Sequence, residues 1–139
     1  MADIKLVDTN IYISFYNRGF FGKELLELHQ RSLVMVSAVT LNEFVRGAHD
    51  PTSKQIASEF LDLMQGQIIT PTQAQWTECG HLSEKLLKDG KRTKLNVLLL
   101  QNDLLIALGA RDAGATLVTS DKKDFSLISK YINLRIDFW

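Results

Sequence analysis

Four short apolar runs rich in β-branched residues, Ile4-Lys5-Leu6-Val7, Leu33-Val34-Met35-Val36, Ile68-Ile69-Thr70 and Thr116-Leu117-Val118-Thr119, are separated along the chain by segments of helical period. This alternation is the strongest constraint on the fold. Parallel strands that neighbour one another need a crossover of a dozen or more residues, usually a helix, and such crossovers are right-handed. The expected class is therefore α/β: a three-layer α/β/α sandwich around a short, mostly parallel central sheet. With 139 residues, 45% of them hydrophobic, the chain can fill one core and is short for two, so a single domain over residues 1–139 is expected.

The first strand, residues 4–7, leads into a short amphipathic stretch from Ile11 to Phe15, a turn over Gly19–Gly22 and a helix over Lys23–Arg31. After the second strand, residues 33–36, Ser37 is suited to cap the helix that carries Glu43 and ends near Gly47. Asp50-Pro51-Thr52 reads as a stop and a fresh start, with a helix over Ser53–Met64. Pro71 closes the third strand, Ile68-Ile69-Thr70, and Thr72 caps a helix running to Lys88, with Asp89-Gly90 as its exit. Residues 91–102 fit a buried loop and a helical turn equally. Asp103–Ala113 reads as a helix ended by Gly114, followed by the fourth strand, 116–119, a short helix over Lys122–Ile128 and a last strand near Ile132–Ile136.

Four acids, Asp8, Glu43, Asp103 and Asp121, stand where strands give way to helices or near helix starts. Taken singly, each has a structural explanation. Asp is a favoured N-cap, and an acid in a first turn complements the helix dipole; Glu43 could be the exposed flank of an amphipathic helix. Caps, however, have no reason to share one edge of a sheet. In an open parallel sheet the carboxyl ends of the strands all point to one edge, where ligands bind. Carboxylates converging there repel one another unless a cation stands between them. Mg²⁺ suits such a donor set, being a hard cation held by one or two carboxylates plus waters in octahedral geometry. A bound divalent cation lowers the pKa of water and shields the charge that gathers on phosphorus during in-line attack.

Lys plus Arg number 16 and Asp plus Glu 16, so the formal net charge is zero and no global field draws the chain to nucleic acid or a membrane. Phosphate contacts would then come from local cations: Arg46, Lys122 and Lys123 beside the acids, and the run Lys88, Lys91, Arg92, Lys94. Phe15, Tyr16, Phe20 and Phe21 could stack bases but more readily pack a dimer or a protein partner. The single Cys79 cannot close an intramolecular disulfide, and with no secretory leader the expected compartment is a reducing cytoplasm. Cys79 and His81, two residues apart on a helix, would face different ways, and His29, His49 and His81 share no ligand spacing, so all are read as non-catalytic. No apolar stretch approaches the roughly 20 residues needed to cross a bilayer.

The chain resembles the PIN domain family and, within it, the small toxins of the VapC type. The matching stretches are Val7-Asp8-Thr9-Asn10, Thr40-Leu41-Asn42-Glu43-Phe44 with Gly47 behind it, Asn102-Asp103-Leu104-Leu105-Ile106-Ala107, and the block Gly114 to Phe125 containing Thr119-Ser120-Asp121-Lys122-Lys123-Asp124. The resemblance spans almost the whole chain. It implies a PIN-like, Rossmann-like sandwich, dependence on Mg²⁺ or Mn²⁺, endonucleolytic cleavage of RNA, a cognate VapB-like antitoxin that covers the active site, and homodimerisation. It carries the family's four acidic positions onto Asp8, Glu43, Asp103 and Asp121, with Asp8, Asp103 and Asp121 as metal ligands. Glu43 would orient or deprotonate the attacking water. Thr9, Asn10 and Thr119 would support the site by hydrogen bonding, and Asp124 would be an optional extra acid. Residues 91–100 match nothing diagnostic.

Other doubly wound aspartate chemistries fit less well. A phosphoryl-accepting receiver domain needs an acidic pair after the first strand, and a haloacid-dehalogenase-like phosphatase needs two aspartates flanking one residue there. Here Asp8 is followed by Thr9-Asn10. The alternative of another class is a catalytically silent PIN-like module that only binds RNA or protein, for which the loss of one of the four acids would be the expected sign.

Overall fold

A computed structural model of the chain describes residues 3–139. Its centre is a five-stranded, all-parallel sheet in the order β3-β2-β1-β4-β5, built from β1 (Ile4–Val7), β2 (Leu33–Ser37), β3 (Ile68–Ile69), β4 (Thr116–Thr119) and β5 (Arg135–Phe138). Leu6 stands opposite Met35 of β2 on one side and Leu117 of β4 on the other. The helices are α1 (Thr9–Arg18), α2 (Gly22–Arg31), α3 (Ala38–Arg46), α4 (Pro51–Leu63), α5 (Gln73–Lys88), α6 (Lys94–Leu99), α7 (Gln101–Asp112) and α8 (Lys122–Ile128).

The period of two along the strands divides their side chains between two cores. Leu6 and Leu117 join Leu86, Leu104, Leu105, Leu108, Phe125 and Ile128 of α5, α7 and α8. Val7 and Val118, the next residue in each strand, join Ile11, Tyr12, Leu25, Phe44, Phe60 and Met64 on the other face. That second core is strongly aromatic. Phe44 and Phe60 stack with centroids 5.0 Å apart, and Tyr12 tilts onto Phe60 at 4.6 Å. Each fully buried side chain of this size contributes about 1.5–3 kcal/mol, so both faces of the sheet are held, as the short strands require.

The helix starts follow the expected chemistry. Ser37 Oγ accepts a hydrogen bond from Val39 N at 3.1 Å, and Asp50 Oδ1 accepts one from Ser53 N at 2.8 Å. Thr72 and Gln75 form a reciprocal capping box. Gly19 takes a left-handed φ of 72° to end α1, where a side chain would be strained.

Several boundaries differ from the sequence expectation. The amphipathic stretch expected over Ile11–Phe15 is a full helix from Thr9 to Arg18, because Asp8 caps it. The helix expected from Ser53 begins at Pro51, a residue preorganised for a first turn. Residues 91–102 resolve into α6, capped by Thr93, followed directly by α7 from Gln101, which places Asp103 in a first turn rather than at a helix start. The last strand is Arg135–Phe138, not Ile132–Ile136. Ile132 N donates to Ile128 O at 3.1 Å, so that residue completes the turn after α8 and is buried under it. Among the described residues no helix is long and apolar enough to cross a membrane.

Candidate functional site

β1 and β4 are adjacent in the sheet, yet the helices that follow them lie against opposite cores, α1 against one and α8 against the other. The chain diverges there and leaves a crevice beyond the strand ends. Asp8 and Asp121 stand on its two sides as the N-caps of α1 and α8. Asp8 is buried. Its N–H donates to Val118 O at 2.9 Å, extending the ladder one residue past β1.

Thr119, the last residue of β4, joins the two sides. Its fully buried hydroxyl donates to Asp8 Oδ2 at 2.8 Å and accepts from Asp121 N at 3.1 Å and from Asn10 Nδ2 at 3.5 Å. The other Asp8 oxygen accepts from Thr9 N at 2.8 Å, and the Thr9 hydroxyl donates to Glu43 Oε1 at 2.7 Å. A hydroxyl carries one proton, so Thr119 commits its own to Asp8 and Thr9 commits its own to Glu43. Valine at position 119 would keep the shape and delete all three contacts. Thr119→Val is expected to lower stability by about 2 kcal/mol through the uncompensated Asp8 oxygen and Asp121 N–H. Urea denaturation at pH 7 measures this, and an unchanged midpoint would mean that the hydroxyl bonds contribute nothing.

Asp103 reaches the crevice from the first turn of α7, and Glu43 from α3. Asp8, Thr9, Asn10, Glu43, Asp103 and Asp121 line one open cleft of about 330 Å³, with Ile13 and Arg46 completing its wall. The four acids marked in the sequence, drawn from four separate segments, therefore share one cavity. Asp124 stands closer to them than expected of an optional acid. Carboxylate oxygens of Asp103, Asp121 and Asp124 all lie within 4.8 Å of one another, and Asp121 Oδ1 accepts from Asp124 N at 3.1 Å.

Electrostatics register the crowding. Burial raises the Asp103 carboxyl to about 8, with Asp8, Asp121, Asp124 and Glu43 adding to the push. Burial raises Asp8 to about 6 against the opposing hydrogen bonds from Thr119 and Thr9. Asp121 is pushed up in the same way, first by burial. Without a cation, Asp103 and, to a smaller degree, Asp8 keep their protons to higher pH than an ordinary carboxylate. The donors around the cleft are carboxylate oxygens, with no imidazole or thiolate among its lining residues. This set fits a hard divalent ion such as Mg²⁺ or Mn²⁺ and suits Zn²⁺ poorly.

The cations divide. Arg46 lines the cleft, while Lys122 and Lys123 are exposed in the first turn of α8. Lys88 pairs with Glu84 on the surface. Arg92, read from sequence as one of a run of phosphate contacts, instead pairs with Asp124, Nη2 to Oδ1 at 2.8 Å. No local pattern announces this pair, whose members lie 32 residues apart. Phe15 and Tyr16 border an apolar groove of about 490 Å³ with Leu25, Leu26 and Leu63, whereas Phe21 packs on Trp139 with ring centroids 5.7 Å apart and Phe20 is exposed. The three histidines are exposed and Cys79 is buried, and none of them lines the cleft.

A family model described as PIN domain matches residues 5–131. No curated protein matches the sequence. Among solved structures, VapBC2 from Rickettsia felis, bound to a DNA fragment from its promoter, is similar at 28% identity and a TM-score of 0.71, covering 98% of each chain. VapBC-1 from nontypeable Haemophilus influenzae gives 24% identity and a TM-score of 0.73, again over 98% of each chain. VapBC-5 from Mycobacterium tuberculosis, described as a member of the VapBC family of toxin-antitoxin systems, gives 19% and 0.64 over 98% of each chain. At those identities the last two speak for the fold alone.

Proposed function

The chain belongs to the PIN domain family, and we propose that it is the toxin of a VapBC-like pair, a Mg²⁺- or Mn²⁺-dependent endoribonuclease acting at the cleft beyond β1 and β4. The observation that carries this reading is the gathering of Asp8, Glu43, Asp103 and Asp121, from four separate segments, around one open cleft, where burial pushes the Asp8 and Asp103 carboxyls above the ordinary carboxylate range.

Asp8, Asp103 and Asp121 would hold the ion, which when bound supplies an acidified water and a counter-charge for the phosphorus centre. Asp8 enters preoriented, one oxygen fixed by Thr9 N and the other by Thr119. Glu43 has one oxygen held by the Thr9 hydroxyl, which leaves the second free to orient the attacking water and take its proton. Attack on phosphorus breaks the bond to the leaving sugar oxygen. Arg46 at the cleft wall, with Lys122 and Lys123, would hold the flanking phosphates and offset the repulsion between RNA and the acids.

The VapBC neighbours support an antitoxin partner, and the apolar groove bordered by Tyr12, Phe15, Leu26 and Leu63 offers a surface for it. Homodimerisation is proposed through α6, where Leu95, Leu98 and Leu99 are 66%, 61% and 70% exposed. Sedimentation equilibrium of Leu98→Asp combined with Leu99→Asp is expected to show a monomer where the wild type is a dimer; a dimeric variant would move the interface elsewhere.

The proposed activity is tested on a mixed cellular RNA pool with purified protein, in Mg²⁺ or Mn²⁺ beside EDTA. Discrete fragments that vanish with EDTA are expected. Intact RNA in both metals, with folded protein free of any antitoxin, would contradict the nuclease reading and favour a silent binding module.

A further inference from the structure

We infer that Arg92 is a positioning residue that serves the Asp124 side of the acid cluster in place of a second divalent ion, so that the centre takes one ion per chain. The inference rests on the metal-dependent reading above. It begins from a mismatch in the geometry. Three carboxylates within 4.8 Å of one another, those of Asp103, Asp121 and Asp124, with Asp8 and Glu43 around the same cleft, amount to the acid complement of a two-ion centre. Such centres hold their ions roughly 3.5–4 Å apart, sharing carboxylates between them.

On the Asp124 side the chain already supplies a positive charge. The Arg92 side chain is only 18% exposed and its Nη2 lies 2.8 Å from Asp124 Oδ1, itself 27% exposed. A guanidinium keeps its positive charge at any working pH. It therefore offsets the Asp124 charge through a hydrogen bond to one of its oxygens. Lysine at 92 would keep the charge.

The loop that carries Arg92 is anchored without help from this pair. Tyr131 Oη donates to Asp89 Oδ2 at 2.7 Å, Lys91 N donates to Leu86 O at 3.1 Å, and Thr93 caps α6. Asp124 is likewise placed by α8, its N–H on Asp121. An ion pair needed only to tie loop to helix would be redundant here. The remaining role is electrostatic: the guanidinium offsets one negative charge of the Asp103, Asp121 and Asp124 group, the charge that a second divalent ion would otherwise offset.

Counting bound Mn²⁺ tests this, by calorimetric titration and by the electron paramagnetic resonance of free Mn²⁺, on wild type, Arg92→Lys, Arg92→Met and the double variant Arg92→Met with Asp124→Asn. Wild type and Arg92→Lys are expected to bind one Mn²⁺ per chain, Arg92→Met two, and the double variant one again. Two ions in the wild type would overturn the inference even if no variant folds. One ion in a folded Arg92→Met protein, with only a lower melting temperature, would also overturn it and reduce the pair to a structural tie. No ion in the wild type would remove the metal-dependent reading itself, an outcome distinct from both.

Discussion

Asp103→Asn is expected to abolish RNA cleavage, by at least about three orders of magnitude or ~4 kcal/mol of barrier, while the cation-free protein melts roughly 5 °C higher. Both effects come from the same carboxyl. Asp103 is buried first of all, and then surrounded by Asp8, Asp121, Asp124 and Glu43, so its ionised form is disfavoured in the fold. Asparagine keeps the shape and removes a carboxyl that, without a partner cation, must take up a proton or carry a buried charge at a cost of about 1–3 kcal/mol. Loss of activity with gain of stability is the mark of a functional group held against the preference of the fold. Parallel melting curves in EDTA and cleavage assays in Mg²⁺ measure the pair of effects. A variant that is both inactive and less stable in EDTA would mean that Asp103 supports the fold rather than a cation.

The second large effect is on pH. A carboxyl raised in the fold binds protons that the unfolded chain has already released, so stability falls as pH rises through the interval between the two values. For Asp103 that interval runs from the ordinary 3.8 to about 8, and for Asp8 from 3.8 to about 6. The contribution is whole below the ordinary carboxylate range and gone above about 8. Cation-free protein is therefore expected to lose on the order of 3 kcal/mol between pH 5 and pH 8.5, and Asp103→Asn to lose much less. Mg²⁺ acts in the opposite sense, because it binds the ionised carboxylates and displaces their protons. Its stabilising effect should be small at pH 5 and largest above pH 8. Denaturant titrations in EDTA and in Mg²⁺ across this range check the sign; equal Mg²⁺ stabilisation at both ends would separate the ion from these two carboxyls.

Much of this was legible in the residues, for physical reasons that also explain what was not. Strand ends in a parallel sheet converge, so acids such as Asp8 and Asp121 directly after apolar runs are juxtaposed by topology alone. Ser37, Asp50 and Thr72 announced helix starts because capping is a local matter of one side chain and one N–H. The last strand slipped because Ile132, Leu134, Ile136 and Phe138 alternate with polar residues, and period two alone cannot say where pairing begins. Ile132 is claimed by the turn after α8, a tertiary decision. Residues 94–100 carry five apolar side chains, of which only Val97 and Leu100 are buried, so no single face could be read. Asp124, expected only as an optional extra acid, stands in the first turn of α8, and its closeness to Asp103 depends on how α7 and α8 meet. The Arg92–Asp124 pair lay beyond sequence reasoning because nothing local links a loop after α5 to α8.

The central claim, that the carboxylates beyond β1 and β4 form a divalent-cation centre, is tested most directly by anomalous diffraction from crystals grown with Mn²⁺. The account predicts a peak in the cleft within about 2.0–2.3 Å of carboxylate oxygens of Asp8, Asp103 or Asp121, absent from Asp103→Asn crystals. Fully occupied Mn²⁺ elsewhere on the molecule, with the cleft empty at neutral pH and above, would contradict it.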